Sequence, residues 1–213
     1  DLDAALRYLD ITYTEPSYYD TLVRWQAEWN VAQALQSQGK VRAARDRLRL
    51  LFESGTDQAV PVTLDLRLRW LDARLRLLLG ETEGLVMTLE GLLRRLQSLP
   101  SGLVTGDDVN ILMAEIVLLT VEVLFYQGDT VKATEELLSL REDYPQSDCS
   151  ERSYLIEAAY HGSVGNYSFA QETLLTLPTL YPGSPLVAQS IFEAALYCEM
   201  RGVDFYADAV RLY

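Results

Sequence analysis

Five glycines, Gly39, Gly80, Gly128, Gly165 and Gly202, each separate two stretches of helical periodicity, and they follow one another at intervals of 41, 48, 37 and 37 residues. Spacing of this size is the signature of a chain built from repeated helical hairpins, in which a first helix, A, turns at the glycine into a second, B. Seven residues before the pivots stand Ala32, Ala73, Val121, Ala158 and Ala195, and five residues after them Ala44, Leu85, Ala133, Ala170 and Ala207. A large side chain at a helix crossing would push the axes beyond their usual ~8–10 Å, so small residues at paired offsets place A and B in antiparallel contact. The two large residues, Val121 and Leu85, fall in different hairpins, so every crossing keeps one alanine. Leu48 and Leu51, Leu89 and Leu92, Leu137 and Leu140, and Leu174 and Leu177 continue the pattern along helix B and are expected in the core.

Gly165-Asn166-Tyr167 with Ala158, Ala170 and Pro182, and Gly128-Asp129 with Ala133 and Pro145, resemble the tetratricopeptide repeat. The first hairpin matches through Gly39 and Ala44 and the fifth through Gly202 and Ala207, whereas the second departs at Leu85 and the third at Val121. The resemblance implies an all-α, right-handed α-solenoid of about five hairpins, truncated at both ends. Residues 1–213 then form one segment: 1–15 is the end of a preceding repeat, 17–55, 61–99, 107–145 and 150–182 are repeats one to four, and 185–213 is an incomplete fifth. Tyr144-Pro145-Gln146-Ser147 and Tyr181-Pro182-Gly183-Ser184 share a Tyr-Pro-x-Ser form that resembles bacterial cell-envelope repeat proteins of the outer-membrane assembly and Tol-Pal-associated kind. That likeness covers residues 128–213 and implies a periplasmic or envelope setting, with the cytoplasm as the alternative.

Residues 2–13 have helical spacing through Leu2, Ala5, Leu6, Leu9 and Thr12 and are expected to stop at Glu15-Pro16, as the B helix of an earlier unit. At the other end Val210, Leu212 and Tyr213 are apolar and await cover. Terminal repeats need a polar outer face, so a segment of a longer protein is expected, with any leader or anchor in the part that precedes it. The longest apolar stretch, Ile116 to Tyr126, contains Thr120 and Glu122 and is shorter than the ~20 residues a bilayer requires, so no membrane span is expected.

The net charge of -13 is uneven: residues 1–39 carry 2 basic and 6 acidic side chains, 40–95 carry 11 and 8, and 96–213 carry 5 and 17. An acidic total argues against nucleic acid, because phosphate binding needs a basic surface to release counterions. The middle stretch still clusters Arg42, Arg45, Arg47, Arg49, Arg67, Arg69, Arg74, Arg76, Arg94 and Arg95, either as a solvated face with acidic neighbours or as a docking patch beside an acidic arm. Nothing points to an enzyme or a cofactor. The single histidine, His161, is expected to be packed or half-exposed, no phosphate loop, dinucleotide fingerprint or metal-ligand spacing appears, and Cys149, expected in a loop, and Cys198 lie 49 residues apart without a thiol motif.

Function is therefore expected on an assembled surface. In the resembling family helix A lines the inner face, at offsets of thirteen, ten, six and three residues before the pivot. Those offsets give Gln26, Trp29, Gln33 and Gln36 in the first repeat, and Arg67, Trp70, Arg74 and Leu77 in the second. They give Glu115, Leu118, Glu122 and Phe125 in the third, and Arg152, Leu155, Ala159 and Gly162 in the fourth. Trp29 and Trp70 recur at one offset in neighbouring repeats. With Gln33, Gln36, Arg67 and Arg74 they are the expected contact residues for a protein or peptide, since aromatic and arginine side chains anchor interfaces. The alternative is that the two tryptophans fill space between successive A helices, as Trp25 is expected to do. The lysine and asparagine clamp with which some members hold a terminal carboxylate is missing, because the matching positions hold Trp29 with Gln33 and Trp70 with Arg74. The expected role is a non-catalytic interaction scaffold, with a subunit of a bacterial envelope assembly or secretion complex, or a regulatory module of a larger enzyme, as alternatives.

Overall fold

The computed structural model describes residues 2–14, 20–54, 60–100 and 106–213. Among these residues there is no strand, and eleven α-helices follow one another. They are α1 (Leu2–Thr14), α2 (Thr21–Ser37), α3 (Val41–Glu53), α4 (Val62–Leu78), α5 (Leu85–Gln97), α6 (Gly106–Gln127), α7 (Thr130–Asp143), α8 (Asp148–Ser163), α9 (Tyr167–Leu180), α10 (Val187–Met200) and α11 (Tyr206–Leu212). Helices adjacent in sequence pack in pairs, the arrangement of a solenoid-like helical repeat. The expected stop of α1 at Glu15-Pro16 and the repeat edges at 17 and 55 fall outside the described residues. The chain divides into two compact units, Asp1–Leu112 and Met113–Tyr213.

The pivots work because each A helix ends in a left-handed residue. Gly39, Gly80, Gly128 and Gly165 have φ between 74° and 82°. In each turn the next residue donates its N–H to a carbonyl five positions back: Lys40 to Leu35, Glu81 to Arg76, Asp129 to Leu124 and Asn166 to His161, at 2.8–3.0 Å. This is a Schellman turn, which satisfies carbonyls that the helix end leaves open and needs glycine for the positive φ. The chain leaves each turn on a fixed heading, so A and B meet at the same offsets every time. Ala32, Ala44, Ala133, Ala158, Ala170 and Ala195 are fully buried, and so are the larger Leu85 and Val121, whose hairpins keep a buried alanine, Ala73 and Ala133, at the other offset. All eight expected helix-B leucines lie in the core.

The fifth turn is different. Gly202 has φ 117° and ψ 179°, and a 3-10 turn, Val203–Phe205, precedes α11. Those extra residues shift the register by two, so Ala209 takes the buried contact and Ala207 is exposed, which corrects the expectation for Ala207. Cys149 is likewise not in a loop: Ser147 caps α8 by accepting from the Ser150 N–H at 3.2 Å, and Cys149 is buried in the first turn of that helix. Finally, α6 is a helix of 22 residues, long and apolar enough to cross a bilayer by length and composition, whereas the apolar stretch in the sequence looked too short. Of its most apolar window 61% is buried within the protein, the pattern of a core helix.

In the first unit α1 is fastened to the hairpin that follows it. Glu28 of α2 is fully buried and accepts from Arg47 Nε at 3.0 Å, from Arg47 Nη2, and from the Tyr13 hydroxyl at 2.8 Å. Arg47 also reaches Asp10 on α1, so three helices meet at one carboxylate. Burial, and then the Glu28 charge, push the Tyr13 phenol above its ordinary value. For Arg47 burial works against the charge, and Glu28, Asp10 and Tyr13 together more than offset it.

Candidate functional site

The residues expected to bind lie on α2 and α4, which pack on each other directly. Trp29 and Trp70 both rest on the same core cluster, beside Leu35, Leu68 and Leu71, and each keeps part of its surface exposed. Arg74 lies over the Trp70 ring, with its guanidinium carbon 5.7 Å from the centroid. Arg67 is paired with Asp108 at 3.1 Å, so an incoming carboxylate would compete with an existing partner. Gln33 is exposed and Gln36 half-buried. The structure brings the two tryptophans to one cluster, with much of their area spent on packing. Trp25 is buried against Phe52, edge to face at 6.1 Å, as its expected packing role requires.

The arginine cluster is largely compensated by acids from other elements. Arg45 meets Asp72 at 3.7 Å and Glu81, Arg47 meets Glu28 and Asp10, and Arg69 and Arg95 share Asp65 at 2.8 Å each. Arg49 lies between Asp46 and Glu53, and Arg76 donates to the Glu83 carbonyl at 2.8 Å. The solvated face with acidic neighbours is thus the better description. Arg69 and Arg95, with Trp25 and Phe52, also line a small cavity of about 310 Å³.

The wider opening lies in the second unit, between α6 and α8, which are the A helices of repeats three and four. A cleft of about 680 Å³ is lined by Glu122, Phe125 and Tyr126 of α6 and by Ile156, Ala159, Tyr160 and Val164 of α8 and its cap. Glu122, Phe125 and Ala159 occupy three of the inner-face offsets read from the sequence. Seven to ten residues nearer the helix starts, or ~10–15 Å along the axes, Glu115 and Arg152 join the two helices at 2.8 Å.

Five residues before the pivot stand Tyr160 in repeat four and Tyr197 in repeat five, and each lies over the residue three before the preceding pivot. For Tyr197 that residue is Gly162, and the ring sits so close that a Cβ there would clash with Cε1, Cζ and the hydroxyl. For Tyr160 it is Phe125, and the rings stack at 4.4 Å between centroids with planes 16° apart. The same tyrosine offset thus meets a bare backbone in one repeat and an aromatic ring in the other. The aromatic row continues through His161, 5.3 Å from Tyr160, to Phe169 at 4.3 Å, which is the half-buried packing expected of His161. At the mouth Tyr126 is 62% and Val164 59% exposed.

Neither cysteine offers a nucleophile. Both are buried and free, and burial, followed by the neighbouring Glu115 charge, pushes the Cys149 thiol up to about 12. Among the described residues no group of three or more His, Cys, Asp or Glu side chains could hold a metal ion.

No protein-family model matches the chain, and no curated protein matches it. The crystal structure of BtubC (BKLC) from P. vanneervenii is similar in fold. It aligns with a TM-score of 0.63 over 99% of this chain and 89% of that one, at 15% sequence identity. At that identity the similarity concerns the helical architecture alone.

Proposed function

We propose that this chain is a non-catalytic scaffold that binds a protein or peptide on the exposed faces of its A helices. The observation that supports this most is the α6–α8 cleft: open, walled by aromatic rings, and at the offsets by which the resembling repeat family contacts its ligands. Its volume falls within the ~300–1,000 Å³ of ligand sites, and its exposed Tyr126 and Val164 are the kind of apolar rim that isolated surface side chains do not form. Trp29, Trp70 and Arg74 of the first unit are a further stretch of A-helix surface for the same role, with less free area. A selection from a random peptide library tests the reading. Peptides should be enriched on the wild-type protein and lose at least about tenfold in affinity for Ala159→Arg, which fills the cleft from an exposed position while circular dichroism stays helical. Enriched peptides that bind Ala159→Arg undiminished, or no enrichment at all, would refute it.

We propose an envelope setting on the likeness of the two Tyr-Pro-x-Ser turns to bacterial envelope repeat proteins alone. Fractionation of cells expressing the full gene checks it: recovery with the cytoplasmic fraction would count against an envelope protein.

A further inference from the structure

The second unit contains 15 acidic and 5 basic side chains, and each of its cations is already held by a neighbour within the same unit. Lys132 lies 3.7 Å from Asp129, Arg141 2.9 Å from Glu157, Arg152 2.8 Å from Glu115 and Arg211 3.1 Å from Asp208. Arg201 donates to Gln171 at 2.7 Å and covers the Phe205 ring. Arg201 thus has only neutral partners, and the unit keeps an excess of ten negative charges, a field that draws cationic ligands and is weakened by salt. The apolar cleft opens into that field, with Glu122 in its wall and the exposed Tyr126 ring at its mouth, a face suited to a cation as well as to an apolar stem.

Resting on the binding role argued above, we propose that the α6–α8 cleft takes an aromatic or long aliphatic side chain from a basic polypeptide segment. Lysines or arginines flanking that side chain meet the acidic surface. The apolar side chain packs over Tyr160, Ala159 and the exposed Tyr126, and the flanking cations lie in the negative field of the unit. Attraction of this kind speeds encounter and weakens with salt, whereas the apolar contact sets the dissociation rate.

Three labelled synthetic peptides of one amphipathic design, alike in their tryptophan and leucines but carrying lysine, glutamine or glutamate at the polar positions, are titrated against the full chain by fluorescence anisotropy. The lysine peptide is expected to bind at least about tenfold more tightly than the glutamine peptide and to lose most of that advantage at high salt. Ala159→Arg should weaken it at least about tenfold. Val131→Arg, the same charge change at an exposed position on α7, should leave it within about threefold. Equal or tighter binding of the glutamine or glutamate peptide overturns the basic partner. If that binding is still lost in Ala159→Arg, the cleft remains a peptide site and only the charge assignment falls. If Ala159→Arg and Val131→Arg act alike on every peptide, the cleft is not the site, and both proposals fall.

Discussion

Glu28→Ala is the substitution that most directly tests how the first unit is held together. The carboxylate has no solvent exposure and is shared by Arg47 and the Tyr13 hydroxyl. Removing it leaves a half-buried hydroxyl without its partner, at up to about 1 kcal/mol, and an arginine without its closest counter-charge. Breaking a buried pair by deleting one member typically costs ~3–5 kcal/mol. Arg47 retains Asp10, which is 64% exposed and so a weaker partner, and this places the expected loss near the lower end, about 3 kcal/mol. In a repeat protein the loss should be local, because stability is a sum over units and their contacts. Hydrogen exchange resolved by peptide should therefore show α1 to α3 opening roughly a hundredfold more often, with α8 to α10 unchanged. Tyr13→Phe should give about a third of the effect, and Glu28 and Arg47 should be strongly coupled in a double-mutant cycle. A loss below about 1 kcal/mol, or equal exchange changes in α8 to α10, would show that the three-helix junction does not carry the stability assigned to it.

Gly162→Ala should forfeit the usual gain of ~0.5–1 kcal/mol for alanine in a helix, because the new methyl must push the half-exposed Tyr197 ring aside; a urea midpoint showing the full gain would refute the close contact. Asp72 has its carboxyl raised chiefly by burial, with Arg45 pulling the other way. A raised folded-state value means stability is lost as pH climbs from the ordinary carboxylate range through the raised one. Asp72→Asn should therefore gain on the wild type as pH rises above the ordinary carboxylate range, and a constant difference would contradict this. Cys149 should resist iodoacetamide at pH 8 in the native protein and react once the chain is unfolded, as mass spectrometry of the alkylated peptide would record.

Much of the fold was legible because a left-handed turn and a close helix crossing each admit few residue types. Gly39, Gly80, Gly128 and Gly165, with the alanines around them, could hardly be anything else. Ala207 was misplaced because nothing local announces the 3-10 turn after Gly202. Cys149 was misplaced although Ser147, a capping residue just before it, was a usable signal. The partners of the arginines could not be read, since Asp10, Glu28, Asp65 and Glu81 approach them only through tertiary packing. The site was half legible: the inner-face offsets included Glu122, Phe125 and Ala159, yet the tryptophans drew attention to α2 and α4. The contrast of Phe125 under Tyr160 with Gly162 under Tyr197 appears only when two repeats are compared in register.

Two serines join consecutive hairpins through main-chain acceptors. Ser150 at the start of α8 donates to the Tyr144 carbonyl at 2.6 Å, and Ser190 on α10 donates to the Leu174 carbonyl of α9. Every residue type carries a backbone oxygen, so such a seam survives almost any replacement of the side chain on its accepting side. Hairpins sewn in this way can diverge outwardly while their mutual angle is inherited, one route by which an architecture outlives the resemblance of its sequences.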